Sequence, residues 1–65
     1  MRMVNAQGQA IYYNIVEKNG LTRYIVKAAS GQSIEGRDRQ KHQSRTFTQE
    51  PQAERWIKRH GYMAD

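Results

Sequence analysis

Hydrophobic and polar positions alternate most regularly on either side of Asn19-Gly20. The run before this pair, residues 9–18, reads Gln-Ala-Ile-Tyr-Tyr-Asn-Ile-Val-Glu-Lys; the run after it, residues 21–30, reads Leu-Thr-Arg-Tyr-Ile-Val-Lys-Ala-Ala-Ser. Both are rich in the β-branched and aromatic residues that suit a pleated, half-buried surface. Asn-Gly tolerates the positive φ that a type I′ turn requires at both central positions. The pattern therefore predicts a hairpin with Lys18 opposite Leu21, Val16 opposite Arg23, Ile15 opposite Tyr24 and Asn14 opposite Ile25. Tyr13 then faces Val26, Tyr12 faces Lys27 and Ile11 faces Ala28. Because side chains alternate between faces, one face carries Ile11, Tyr13, Ile15, Tyr24, Val26 and Ala28, and must be covered. The other carries Tyr12, Asn14, Val16, Arg23, Ile25 and Lys27. A slip of one residue would mix the two sets, so turn chemistry and periodicity agree on one register.

Residues 44–48, Ser-Arg-Thr-Phe-Thr, have strand composition, with Phe47 inward and Arg45 on the same face at the rim of the sheet. The periodicity then changes from two to that of a helix. Ala53, Trp56, Ile57 and His60 follow the i, i+3, i+4, i+7 spacing of a buried stripe. Pro51 suits the first turn, Glu50 the positive end of the dipole, and Lys58, Arg59 and His60 the negative end. Gly61 suits a left-handed residue after the helix, with Tyr62 folding back on the last turn.

Two segments are less regular. In residues 1–8, Met3 and Val4 either add an edge to the sheet or cap one end of the core. Residues 31–43 hold glycines at 31 and 36, one isolated Ile34 and a dense mixture of charges. They read as a long, mobile connection exposing Arg37, Arg39, Lys41 and His42; a second hairpin turning near Gly36 is the competing reading. The expected fold class is α+β: a three-stranded antiparallel sheet packed on one C-terminal helix, β-β-β-α, in a single small domain spanning 1–65. Trp56, Ile57, Ala53 and Phe47 should pack against Ile11, Tyr13, Ile15, Tyr24 and Val26. One helix covers one face, so the face with Tyr12, Arg23 and Lys27 is expected to stay open.

Composition narrows the chemistry. There is no cysteine, so disulfides and thiolate metal sites are excluded and a reducing, cytoplasmic setting is expected. No apolar run approaches the roughly 18–20 residues of a membrane span. The opening Met-Arg-Met-Val-Asn-Ala-Gln-Gly-Gln lacks the apolar centre of a signal peptide. The formal net charge is +5, which points to a polyanionic partner.

Residues 44–57, Ser-Arg-Thr-Phe-Thr-Gln-Glu-Pro-Gln-Ala-Glu-Arg-Trp-Ile, placed after a tyrosine-rich hairpin, resemble the end of the arm-type DNA-binding domain at the N-terminus of phage integrases. That family is similar in architecture to the ethylene-response-factor domain of plants. The matching positions are Thr46, Phe47, Thr48, Ala53, Glu54, Trp56 and Ile57. The resemblance implies a three-stranded sheet laid in the DNA major groove, and a factor accessory to or regulating a phage or mobile element.

Catalysis is not expected. His42 and His60 are the only histidines, no serine has a His–Asp arrangement about it, and no glycine motif cradles phosphate. No catalytic residue, metal, cofactor or small-molecule substrate is assigned. Double-stranded DNA is the expected partner, with Arg23 and Lys27 reading base edges beside Tyr12, Asn14 and Ile25. Arg37, Arg39, Lys41 and Arg45 would hold phosphates. RNA is not separated from DNA by these features. The alternative belongs to another class: a protein-binding regulator or inhibitor of a nucleic-acid enzyme, or a homodimer joined through Tyr12, Val16 and Ile25 on the open face.

Overall fold

The hairpin forms as its pattern dictates. In the computed structural model, which describes residues 1–65, β2 (Ala10–Lys18) and β3 (Leu21–Ala28) pair from Ile11↔Ala28 to Lys18↔Leu21. Every pair is the one the alternation selects. Asn19 and Gly20 both have positive φ, 53° and 76°, as a type I′ turn demands.

The main sheet is larger than three strands. It has five, in the order β6-β3-β2-β1-β7. β6 (Ser44–Phe47) is the third strand the composition predicts, with Phe47 opposite Tyr24 and Arg45 opposite Val26. β1 (Arg2–Val4) pairs with the start of β2, placing Met3 beside Ile11. β7 (Met63–Ala64) follows the helix and closes the far edge on β1, pairing Met3 with Ala64. β-β-β-α is thus corrected to a sheet that receives a strand from each end of the chain, within the same α+β class. These strands of two or three residues are held by non-local pairing, and they carry too few positions to show a period.

Residues 31–43 are a second, short hairpin rather than an irregular connection. β4 (Ile34–Glu35) pairs with β5 (Lys41–His42), and the turn lies at Arg37–Gln40, beyond Gly36. The isolated Ile34 anchors it: its side chain is buried in the core. Gly36 is buried because the His42 ring lies over it, leaving no room for a Cβ. Arg39 adopts φ 63° in the turn, supported by Asp38 Oδ1, which accepts bonds from the Gln40 N–H (3.1 Å) and from His42 Nε2–H (2.8 Å). The bond from His42 and then that from Gln40 hold the Asp38 carboxyl below its ordinary value of 3.8. A carboxylate lowered in the folded state stabilises it above the unfolded value, and that contribution disappears as pH falls through the folded one. Acidification below pH ~4 should therefore release the Gln40 amide from protection, and Asp38→Asn should abolish the pH step. A pH-independent Gln40 amide in NMR exchange spectra would contradict this.

The helix α1 (Glu50–Arg59) lies across one face of the sheet and buries Ala53, Trp56 and Ile57. Pro51 occupies the first turn, and Gln49 caps without a side-chain bond. Trp56 is the hub: Phe47 is 6.3 Å away, His60 stacks on it at 4.2 Å and Tyr62 at 6.0 Å. Gly61, at φ 77°, turns the chain so that Tyr62 returns to the core, its N–H donating to the Ile57 carbonyl. His60 Nδ1–H donates to the Trp56 carbonyl at 2.9 Å, which makes it a cap and packing residue.

Ile15 corrects the expected core. It stands on the helix-facing side but remains 57% exposed. A helix of ten residues is about 15 Å long, whereas a strand of nine residues runs about 30 Å. The helix therefore ends before the tip of the hairpin, and the outer half of β2 and β3 projects beyond the core.

Candidate nucleic-acid interface

The face of the sheet turned away from α1 carries the side chains singled out by the alternation. Across the β2–β3 ladder it presents Tyr12 with Lys27, Asn14 with Ile25, Val16 with Arg23, and Lys18 with Leu21. Thr46 and Ser44 of β6 continue it beside Ile25 and Lys27, and Arg2 of β1 lies beyond Tyr12. Tyr12, Asn14 and Lys27 line a concavity of ≈ 590 Å³ together with Ser30 and Gln43.

The electrostatics of this face are one-sided. Lys18, Arg23 and Lys27 have no carboxylate partner. Glu17 alternates to the opposite side of the hairpin, where it pairs across to Thr22. The single acid near the face is Asp65, at its rim, bound to Arg2. Arg23 is half-buried and folds back to donate from Nη1 to the Thr22 carbonyl at 3.0 Å, so its guanidinium is partly oriented already.

The same face is apolar along a zigzag. Leu21 is 56% exposed, Tyr12 43% and Val16 41%, with half-buried Ile25 between them. Diagonal neighbours across a ladder are ~7–8 Å apart, so these side chains form one continuous ridge flanked by Arg23, Lys27 and Lys18.

Width decides which part can enter a groove. Five strands span about 19 Å between outer axes, more than the ~12 Å of the major groove. β1 reaches only as far as Tyr12, however, and β6 only as far as Tyr24. Past Tyr12 the sheet narrows to β2, β3 and β6; past Phe47's partner Tyr24 it is a two-stranded ribbon. The ribbon carrying Val16, Lys18, Leu21 and Arg23 is the part whose width matches a groove, with Asn14 just behind it on the three-stranded part.

The nine residues picked from the sequence divide among three surfaces. Tyr12, Asn14, Arg23, Ile25 and Lys27 share the open face. Arg45 and Arg37 lie instead on the helix side of β6, lining a cleft with Arg55 and Arg59. Arg39 and Lys41 sit on the second hairpin beside Glu35 and Gln32. One phosphate backbone laid on the open face thus does not meet all four of the cations assigned to phosphates. The physical reason for Arg45 is strand parity: it shares the face of Phe47, and its guanidinium lies 4.8 Å from the Phe47 ring centroid. Lys18 and Leu21 also stand on this face, next to the turn; the alternation places them opposite each other but does not show that β1 and β6 stop short and leave the tip as a separate ribbon.

On the covered side, burial, followed by the charges of Glu50 and Glu54, pushes the Tyr13 hydroxyl above its ordinary value. The acidic flank of the helix is therefore turned toward β2, away from β6. No helix is long and apolar enough to cross a membrane. Comparison with protein-family models, with curated proteins and with solved structures finds no match to this chain.

Proposed function

We propose that this protein binds double-stranded DNA, placing the open face of the β2–β3 hairpin in the major groove. The observation that carries this reading is the unpaired row Lys18, Arg23 and Lys27 on one face, with no acid among them: Lys18 and Arg23 stand on the two-stranded ribbon of groove width, and Lys27 at its base, where β6 and β1 flank the hairpin. Arg and Lys reach guanine O6 and N7, Asn14 suits adenine N6 and N7, and the exposed Leu21 and Val16 suit thymine methyl groups. The resemblance of 44–57 to arm-type integrase domains supports the same use of a sheet, and with it a role as an accessory or regulatory factor of a phage or mobile element.

Amide chemical-shift mapping with a short duplex tests the assignment. Resonances of residues 12–16 and 21–27 should move, while those of Glu50 and Glu54, on the far side of the sheet, should not. Shifts confined to the helix would overturn it.

A second reading is favoured by the apolar ridge of Tyr12, Val16, Leu21 and Ile25, which suits a protein partner or a second copy of the chain. An apolar interface would depend shallowly on salt, whereas phosphate neutralisation depends on it steeply.

A further inference from the structure

Behind the sheet, the cleft between β6 and α1 gathers arginines from three parts of the chain. Arg45 comes from β6, Arg37 from the turn of the second hairpin, and Arg55 and Arg59 from the helix. The cleft is shallow, ≈ 280 Å³, and its base is formed by Phe47 and Trp56. No carboxylate lines it, and none of the four guanidiniums has a salt-bridge partner. Like charges brought together without counter-charge repel one another, so the arrangement gains most when an anion fills it.

The helix has the opposite sign on its two flanks. Glu50 and Glu54 lie toward Tyr13, while Arg55 and Arg59 face the β6 side. Lys58 stands four residues after Glu54, without forming an ion pair with it; the arginine flank has no acid at that spacing. Arg45 is placed by its stack on Phe47 rather than by an acid, which leaves all its N–H donors free of carboxylates. Trp56, at the base, has a buried Nε1–H with no hydrogen-bond partner.

We infer that this cleft is a second phosphate-binding site, taking the backbone of a nucleic acid independently of the open face. Guanidinium forks suit phosphate oxygens bidentately. Arg55 and Arg59 are one helical turn apart, ~6 Å along the axis, so the charges form a row, which fits successive phosphates better than one small ion. The row lies on the helix side of the sheet and the Arg23–Lys27 face on the other. A straight duplex seated on one side does not reach the other, so the protein has two nucleic-acid faces and can hold two segments together.

The test uses the intact chain and its single tryptophan, which lines the cleft and reports its occupancy. Trp56 fluorescence is followed while sodium tripolyphosphate, and separately a short DNA duplex, is added. A saturable change is expected with both probes. Arg55→Gln combined with Arg59→Gln, at two exposed helix positions, should weaken both responses about tenfold while leaving the circular dichroism spectrum unchanged. Arg23→Ala combined with Lys27→Ala should leave the tripolyphosphate response as it is. Absence of a saturable change in the unmodified protein, or a double glutamine variant that responds as the unmodified protein does, overturns the site. A response to tripolyphosphate but not to duplex overturns the nucleic-acid assignment. Failure of the open-face reading shows separately, as duplex binding that the double glutamine variant retains and that survives further loss of Arg23 and Lys27.

Discussion

Trp56→Ala is expected to unfold the protein. The indole is buried and touches the three other aromatic groups of this end of the core: Phe47 from the sheet, His60 from the helix end and Tyr62 after Gly61. Emptying such a position costs roughly 3–5 kcal/mol, because the lost transfer energy is joined by a cavity that the surroundings fill only in part. A chain of this length holds only about 3–10 kcal/mol in total. The damage also spreads along the backbone. Tyr62 packs on Trp56 and leads directly into β7, so losing the stack frees the strand that closes the β1 edge. Thermal denaturation followed by circular dichroism should show no cooperative transition for the variant, or one lowered by tens of degrees. A variant melting within a few degrees of the unmodified protein would contradict the core described here.

The second large effect concerns binding. Arg23→Ala with Lys27→Ala removes two of the three unpaired cations of the open face, and neither side chain belongs to the buried core. A good bidentate contact to a base is worth ~1–3 kcal/mol. Together the two losses should weaken duplex binding by at least about a hundredfold, or ~3 kcal/mol. Surface substitutions away from special contacts usually change stability by less than ~0.5 kcal/mol. Arg23 donates to the Thr22 carbonyl, but that group lies at the edge of an exposed ribbon where water can replace it. The variant should therefore melt close to the unmodified protein while failing to hold duplex on the open face. Retention of duplex by the folded variant, with Arg55 and Arg59 also changed to Gln so that the cleft does not hold it, would remove Arg23 and Lys27 from the site.

What the amino-acid order shows directly is local. Asn19-Gly20 and the alternation on either side specify the hairpin register residue by residue, because a slip would bury Arg23 and Lys27 and expose Val26. The helix is equally visible in Ala53, Trp56 and Ile57. Features that depend on distant partners are not visible in this way. Met3 meets Ala64 from the other end of the chain, and two or three residues carry no periodicity to announce it. Ile34 looked stray among charges because its partners in the core come from other segments. Ile15 obeys the alternation yet stays exposed, since exposure there is set by where the helix ends rather than by parity. The open face was legible as a set of residues, but its narrowing to a ribbon depends on the lengths of β1 and β6. The arginine cleft was legible only in part. Arg55 and Arg59 are spaced i, i+4 on one helix flank, but nothing local joins them to Arg37 and Arg45.

The central claim is that the open face of the hairpin neutralises DNA phosphates, and its salt dependence tests that most directly. A labelled random duplex is titrated with the protein at several salt concentrations, and anisotropy gives the affinity at each. Each phosphate contacted contributes about −0.9 to the slope of log K against log salt. A cation seated in the groove releases counterions condensed on the flanking phosphates even where it also reaches a base edge, so Lys18, Arg23 and Lys27 predict a slope of about −3 or steeper, reduced by about 2 in the Arg23→Ala, Lys27→Ala protein. A flat salt dependence, or a slope that the double substitution leaves unchanged, would contradict the account and turn attention to the apolar ridge as a protein interface.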